Sequence, residues 1–315
     1  MEWYWWAMFL GVVAVLLAMD LGLFQRQAHE VKLAEALQST AFRVFLALLF
    51  CLGIYLGWIG GYDTPELSRK AGIEFLTGYI VEIALSVDNV FVFALIFGYF
   101  RVPAAYQHRV LFWGILGALI MRALMIFAAT ALLHHFWWVI YIFAAILIYG
   151  GIKMIVDDKE EVDPSNNFLL KLFRRFVPVT REFHGQKFSV VLNGRRFATP
   201  LAVVLVAIET SDLIFAVDSI PAVVAITQDR FIVFTSNIFA ILGLRALYFA
   251  LAGILKLFRF LHYGLSAILV FIGTKMILSH TPYAIQTETS LVVVVAMLAA
   301  AVIASLLIKE KNKDK

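Results

Sequence analysis

The chain has 315 residues, 62% hydrophobic and 15% charged, with a mean hydropathy of +0.88; soluble domains are about 45–50% apolar and about 25% charged, so a water-soluble globular fold is excluded. Its one cysteine, Cys51, allows no internal disulfide, thiolate zinc cluster or dithiol pair. The formal net charge of +4 and pI near 9.1 bear on orientation in a membrane chain, and no nucleic-acid partner is expected.

A bilayer core takes about twenty predominantly apolar residues per helix. Nine such runs stand between polar breaks, near 4–24, 41–60, 72–97, 108–132, 136–156, 199–223, 230–256, 262–280 and 289–308, which predicts an all-α polytopic membrane protein. The chain divides into two N-terminal spans (1–71), a three-span block (72–156), a charged insert (157–198), a second three-span block (199–280) and a last span with a basic tail (281–315). The first run has no preceding Lys or Arg and closes on Asp20 instead of a small-residue cleavage site, so it is expected to stay as an anchor.

With the N-terminus outside, the inner segments hold Arg26, Lys32, Arg43, Arg101, Arg109, all bases from Lys153 to Arg196, Lys256, Arg259 and four C-terminal lysines. The outer loops hold only Arg69, Lys70 and Arg230. Positively charged segments stay inside, which predicts an outer N-terminus and a cytoplasmic C-terminus, and the lack of a transit peptide favours a bacterial inner membrane. Within the insert, Lys187 to Leu192 and Arg195 to Phe197 flank Asn193-Gly194, the signature of a two-residue hairpin. The insert is read as a solvated loop that fixes topology, with no function assigned to it.

An internal repeat organises the spans. Ala145-Ile146-Leu147-Ile148-Tyr149-Gly150-Gly151-Ile152-Lys153-Met154-Ile155 recurs as Ala267-Ile268-Leu269-Val270-Phe271-Ile272-Gly273-Thr274-Lys275-Met276-Ile277, identical at 7 of 11 positions. Arg122-Ala123-Leu124 returns as Arg245-Ala246-Leu247, and Leu85-Ser86-Val87-Asp88-Asn89 as Phe215-Ala216-Val217-Asp218-Ser219. Spans 3–5 therefore correspond to spans 6–8, and an offset of three spans inverts the second copy relative to the first. Such 3+3 inverted repeats commonly hold a transported ion near the midplane, between the two halves.

Acidic residues stand where the bilayer penalises them: Glu82 and Asp88 in span 3, and Glu209, Asp212 and Asp218 in span 6. The repeat superposes Glu82 on Asp212 and Asp88 on Asp218. At about 2.5–3.5 kcal/mol each, five uncompensated carboxylates would cost roughly 12–17 kcal/mol, comparable to the roughly 5–15 kcal/mol net stability of a fold. They must face the bundle interior, and intramembrane acids mark function by default. Arg122 and Arg245, mid-span and repeat-related, are the candidate charge partners, with Lys153 and Lys275 nearer the span ends. Two arginines against five acids leave a surplus that attracts cations.

Glu82 and Asp88 are six residues apart, so they point about 120° apart on a regular helix. Either the acids meet from different angles, or the helices unwind near Asp88 and Asp218; Pro221 removes a donor to the Val217 carbonyl and is compatible with the second option. Ser86, Asn89, Ser211 and Ser219 are possible additional ligands. The histidines (29, 108, 134, 135, 184, 262 and 280) fall in loops or near span ends. An all-oxygen site suits manganese, magnesium or calcium over zinc or copper. No nucleophile stands beside a base, so no enzyme activity is expected, and no prosthetic group is implied.

The stretch from Glu82 to Val92, that from Glu209 to Ala222, and Thr235 to Ala246 closely resemble the TerC family, within it the Alx type. The resemblance extends over essentially the whole chain. It implies export of Mn2+ from the cytoplasm, with transport depending on Glu82, Asp88, Glu209, Asp212 and Asp218. Metal binding expels a carboxyl's proton, so protons are the expected coupling partner. A Ca2+ transporter, or a structural or tellurite-stress regulatory membrane component without transport, stays open as an alternative, as does the oligomeric state.

Overall fold

A computed structural model describes residues 2–22, 33–156, 173, 175–192, 194–251, 260–279 and 281–307, with the side chains of 20–22 and 251 left aside. Arg26, Lys32, Asp157 to Lys171, Lys256, Arg259 and the C-terminal lysines, on which part of the orientation argument rests, lie outside the described residues. Among those described, nine helices and one hairpin form: α1 (Trp3–Gly22), α2 (Leu33–Tyr55), α3 (Pro65–Tyr99), α4 (Ala104–His135), α5 (Val139–Val156), β1 (Ser189–Leu192), β2 (Arg195–Ala198), α6 (Pro200–Val224), α7 (Arg230–Leu251), α8 (Leu261–Leu278) and α9 (Thr287–Leu307). Eight are long and apolar enough to cross a membrane; α1 is apolar over Trp3–Met19 and its 20 residues span about 30 Å. The protein is a multi-pass integral membrane protein, and its nine helices match the nine apolar runs of the sequence.

Helix ends follow local chemistry. Thr64 accepts from the Leu67 amide and Pro65 occupies the first turn of α3, where a missing N–H costs nothing. The Asp229 Oδ1 accepts from the amides of Phe231 (2.9 Å) and Ile232 (3.4 Å), capping α7. The second apolar run predicts a helix over 41–60, but α2 occupies 33–55. It stops there because Gly57 takes φ +78° and the amides of Trp58 and Gly57 return to the carbonyls of Gly53 and Ile54, the αL termination that glycine permits. The hairpin forms with Ser189 opposite Ala198 and Leu192 opposite Arg195, and Gly194 at φ +76° makes its turn.

The helices pack as an inverted repeat requires. α3 lies on α7 and α4 on α6, contacts that exchange when α3–α5 are superposed on α6–α8. α3 on α6, α4 on α8's predecessor α7, and α5 on α8 each join an element to its own repeat mate. The α5–α8 contact is close because Gly151 and Gly273, themselves repeat-related, leave no space for a side chain: a Cβ would lie 2.8 Å from the Ser266 carbonyl oxygen at Gly151 and 2.9 Å from that of Ala144 at Gly273. α1 and α2 cover one side through Trp6, Phe9 and Phe50 against Phe231, Phe234 and Phe239, while α9 packs on α8 and α3. The hairpin sits at one end of the bundle, near the α3–α4 turn, with Gln186 donating to the Ala105 carbonyl. That end is the hairpin end and the opposite one the far end.

Candidate functional site

At mid-bundle, three helices converge on Arg122 of α4, which is 1% exposed. Its Nη1 donates to Glu82 Oε2 on α3 at 2.8 Å, to Ser219 Oγ on α6 at 3.2 Å and to Asn237 Oδ1 on α7 at 3.2 Å. Nε and Nη2 reach the two carboxylate oxygens of Asp212 on α6, at 3.3 and 3.1 Å, the bidentate geometry that makes arginine a strong carboxylate partner. The Asn237 amide completes the ring by donating from Nδ2 to Glu82 Oε1. Glu82 and Asp212, the repeat-related acids, thus share one cation, and the cluster keeps a formal charge of −1.

Asn237 is 0% exposed and is a site residue that neither charge nor the repeat picks out. The signal lay in the unbroken polar triplet Thr235-Ser236-Asn237 inside an apolar run. Thr235 and Ser236 return their hydroxyls to the carbonyls of Phe231 and Ile232 one turn back, so only Asn237 has a polar group left to reach across to other helices.

The remaining acids stand apart from the arginine. α6 runs unbroken through Pro221, so the helix does not unwind at Asp218; α3 is likewise continuous at Asp88. The six-residue spacing therefore turns Asp88 and Asp218 about 120° away from Glu82 and Asp212. Asp88 is half-buried. Asp218 is also half-buried and lies against Gly150 of α5, its Oδ1 3.4 Å from where a Cβ would stand. Glu209, one turn before Asp212, rests its carboxylate on the bare backbone of Gly117 in α4, where a Cβ would come within 2.0 Å of Oε1. Among the described residues, none of these three carboxylates has a hydrogen-bond or ion-pair partner.

The other expected residues fall as follows. Ser219 joins the arginine cluster; Ser86 and Asn89 are buried beside it in sequence on α3; Ser211 returns its hydroxyl to the Ala207 carbonyl. Arg245 is buried and, with Asp212, borders a cavity of about 10 Å³. The two lysines do not serve the midplane acids. Lys153 is exposed at the hairpin end of α5, and Lys275 lies in the field of Glu74 and Glu288 near the far end. Among the described residues, no three His, Cys, Asp or Glu side chains converge into a ready-made metal cage. Regular helices and the Arg122 bridge hold the acids in separate groups.

A second polar region opens at the far end. A cavity of about 450 Å³ is lined by Glu74, Asp229, Tyr62, Thr227 and Lys70 among others. The Tyr62 hydroxyl donates to Asp229 Oδ2 at 2.9 Å; burial, then the neighbouring carboxylate, push the phenol's pKa above its ordinary value. Lys70 stands 3.8 Å from Glu74.

Residues 67–313 match the model of the integral membrane protein TerC family. The chain belongs to the TerC family. A membrane protein of Myxococcus xanthus is 50% identical over 302 residues, covering 96% of this chain and 92% of the relative. A Rickettsia felis membrane protein is 42% identical over 304 residues, 96% and 98% of the two chains. The Escherichia coli K12 protein Alx, described by name as a candidate membrane-bound redox modulator, is 44% identical over 285 residues, 89% of this chain and 88% of Alx. No solved structure matches the chain.

Proposed function

We propose that this TerC-family protein exports a hard divalent cation, Mn2+, from the cytoplasm of a bacterial cell across its inner membrane, in exchange for protons. The observation that carries the reading is the set of three carboxylates, Asp88, Glu209 and Asp218, inside membrane spans of an inverted repeat without any cationic or hydrogen-bonding partner among the described residues. Buried acids of this kind are costly, and a fold keeps them where an ion must be attracted. Manganese and the outward direction rest on the family resemblance; the oxygen-only chemistry of the acids supports a hard ion.

In this reading Arg122 pairs with Glu82 and Asp212 between the halves, leaving that cluster one formal negative charge, and Asp88, Glu209 and Asp218 carry the ion. Each carboxylate that takes a divalent ion gives up its proton, which supplies the coupling. The hairpin end, rich in Arg175, Arg181, Lys187, Arg195 and Arg196, is the cytoplasmic one by the positive-inside rule, placing the N-terminus outside. A redox role by a protein dithiol has no residues to use, since Cys51 is the chain's one cysteine.

The test is reconstitution into liposomes with a trapped manganese-sensitive dye, comparing the parent with Asp88→Asn and Asp218→Asn. Flux in the parent that both variants lose, with folding intact, is the expected result. A folded parent that carries neither Mn2+ nor Ca2+ would refute transport. Efflux indifferent to a collapsed proton gradient would remove the coupling while leaving the export reading in place.

A further inference from the structure

The arginine cluster is lopsided in a way the repeat is not. Glu82 and Asp212 are mates under the inverted repeat, and so are Arg122 and Arg245. Superposing one half on the other returns the acid pair to itself but replaces Arg122 by Arg245. Only one of the two can hold both carboxylates, and here it is Arg122.

The two arginines flank the pair from opposite directions along the bundle. Arg122 reaches it beside Ser219 and Asn237, which lie toward the far ends of α6 and α7. Arg245 borders Asp212 together with Phe93, Leu111 and Ile208, toward the hairpin ends of α3, α4 and α6. The cavity shared by Asp212 and Arg245 measures about 10 Å³, room for about a single water. At the far end, the cavity beside Glu74 and Asp229 is about 450 Å³. Among the described residues, Arg122 on the pair thus accompanies an open far end, while only a cavity too small for an ion's path lies beside Arg245.

We propose that Arg245 is the second partner of the Glu82–Asp212 pair, and that passing the pair from Arg122 to Arg245 is the step that closes the far end and opens the hairpin end. In the exchanged state Arg245 would take the place of Arg122 on both acids, so neither state leaves the pair without a cation; the Asn237 bonds have no counterpart there, because Gly114 stands at the corresponding position of the first half. Between near-equal packings of this kind, small local changes become whole-body ones. The proposal rests on the transporter reading for its purpose, but not for its test.

The experiment uses the full chain in proteoliposomes with Cys51→Ser, carrying either a Ser279→Cys reporter at the far-end cavity or a Leu111→Cys reporter at the small one. A membrane-impermeant maleimide is applied from each side. Arg245→Gln removes the competitor, and is expected to slow labelling at position 111 by at least about fivefold, the lower end of ordinary conformational coupling, while position 279 stays reactive. Arg122→Gln is expected to do the opposite, slowing 279 and exposing 111. Melting supplies a second readout: each single variant keeps one arginine for the pair, so the double variant Arg122→Gln/Arg245→Gln loses far more thermal stability than the two singles together. Labelling unmoved by both variants, or an Arg122→Gln protein that melts as early as the double, would overturn the exchange. Manganese flux of the parent in the same vesicles is read separately: reversal of labelling without flux keeps the exchange and discards transport, and flux without reversal does the converse.

Discussion

Replacing Gly117 by alanine separates fold from function. The new methyl would stand 2.0 Å from Glu209 Oε1, 2.5 Å from Cδ and 2.6 Å from Oε2. A carbon–oxygen contact needs about 3.3 Å, so the carboxylate must withdraw by about 1.3 Å. The obstacle is the free end of a flexible side chain, and α4 can accept the methyl without moving. Alanine gains about 0.5–1 kcal/mol over glycine in a helix, and an off-rotamer Glu209 costs about 0.5–1.5 kcal/mol, so stability should change by less than about 1 kcal/mol. That corresponds to no more than about 2–4 °C in melting temperature. Function should change much more, because metal ligands hold their distances to about 0.2 Å and the displacement is roughly six times that. The assay is dye-reported Mn2+ flux against Mn2+ concentration in liposomes, beside a melting curve in detergent. The expected outcome is a half-saturating concentration raised at least about tenfold, as when the supports of metal ligands are lost, at nearly parental melting. Gly150→Ala is the control: there the methyl stands 3.4 Å from Asp218 Oδ1, an ordinary contact, and flux should stay parental. A folded Gly117→Ala protein with unchanged Mn2+ dependence would refute the assignment of Glu209 to the ion's path.

Other substitutions probe the scaffold. Gly273→Ala drives a methyl to 2.9 Å from the Ala144 carbonyl oxygen and 2.8 Å from Ile148 Cγ1, and backbone cannot yield as a side chain does; a loss of about 1–3 kcal/mol should appear as earlier melting, and none would mean the α5–α8 contact is looser than described. Asn237→Asp keeps the size of the side chain but turns the donor facing Glu82 into an acceptor; it should lower folded yield more than Asn237→Ser does, and equal yields would show that the amide does not orient Glu82. Asp229→Ala removes the α7 cap and the acceptor of Tyr62, for a loss of about 1 kcal/mol by denaturant or thermal melting, whereas Tyr62→Phe should cost less because the cap survives.

Much of the architecture could be read from the amino-acid sequence, since bilayer thickness and the cost of bare backbone in lipid leave helices as the one choice for long apolar runs. The repeat was equally legible, because Arg122-Ala123-Leu124 and the lysine-bearing motif of α5 return in order, and an odd offset forces inversion. The same spacing placed Glu82 opposite Asp212 across the repeat, and the structure puts both on Arg122. Periodicity could not choose which arginine would hold them, because the repeat makes Arg122 and Arg245 equivalent and only packing in one state breaks the tie. Nor could it decide the path of α6, where Pro221 is compatible with a break; the proline falls in the final turn, where losing one hydrogen bond leaves the helix intact. Lys275 and Asn237 show the same limit. A lysine's surroundings and an amide's direction depend on which helix stands opposite, so Lys275 lies in the field of Glu74 and Glu288 and Asn237 donates to Glu82. Sequence determined which groups must be buried together, because the membrane penalises them one residue at a time; tertiary structure alone decided their partners, because pairing depends on rotations and heights of helices far apart in the chain.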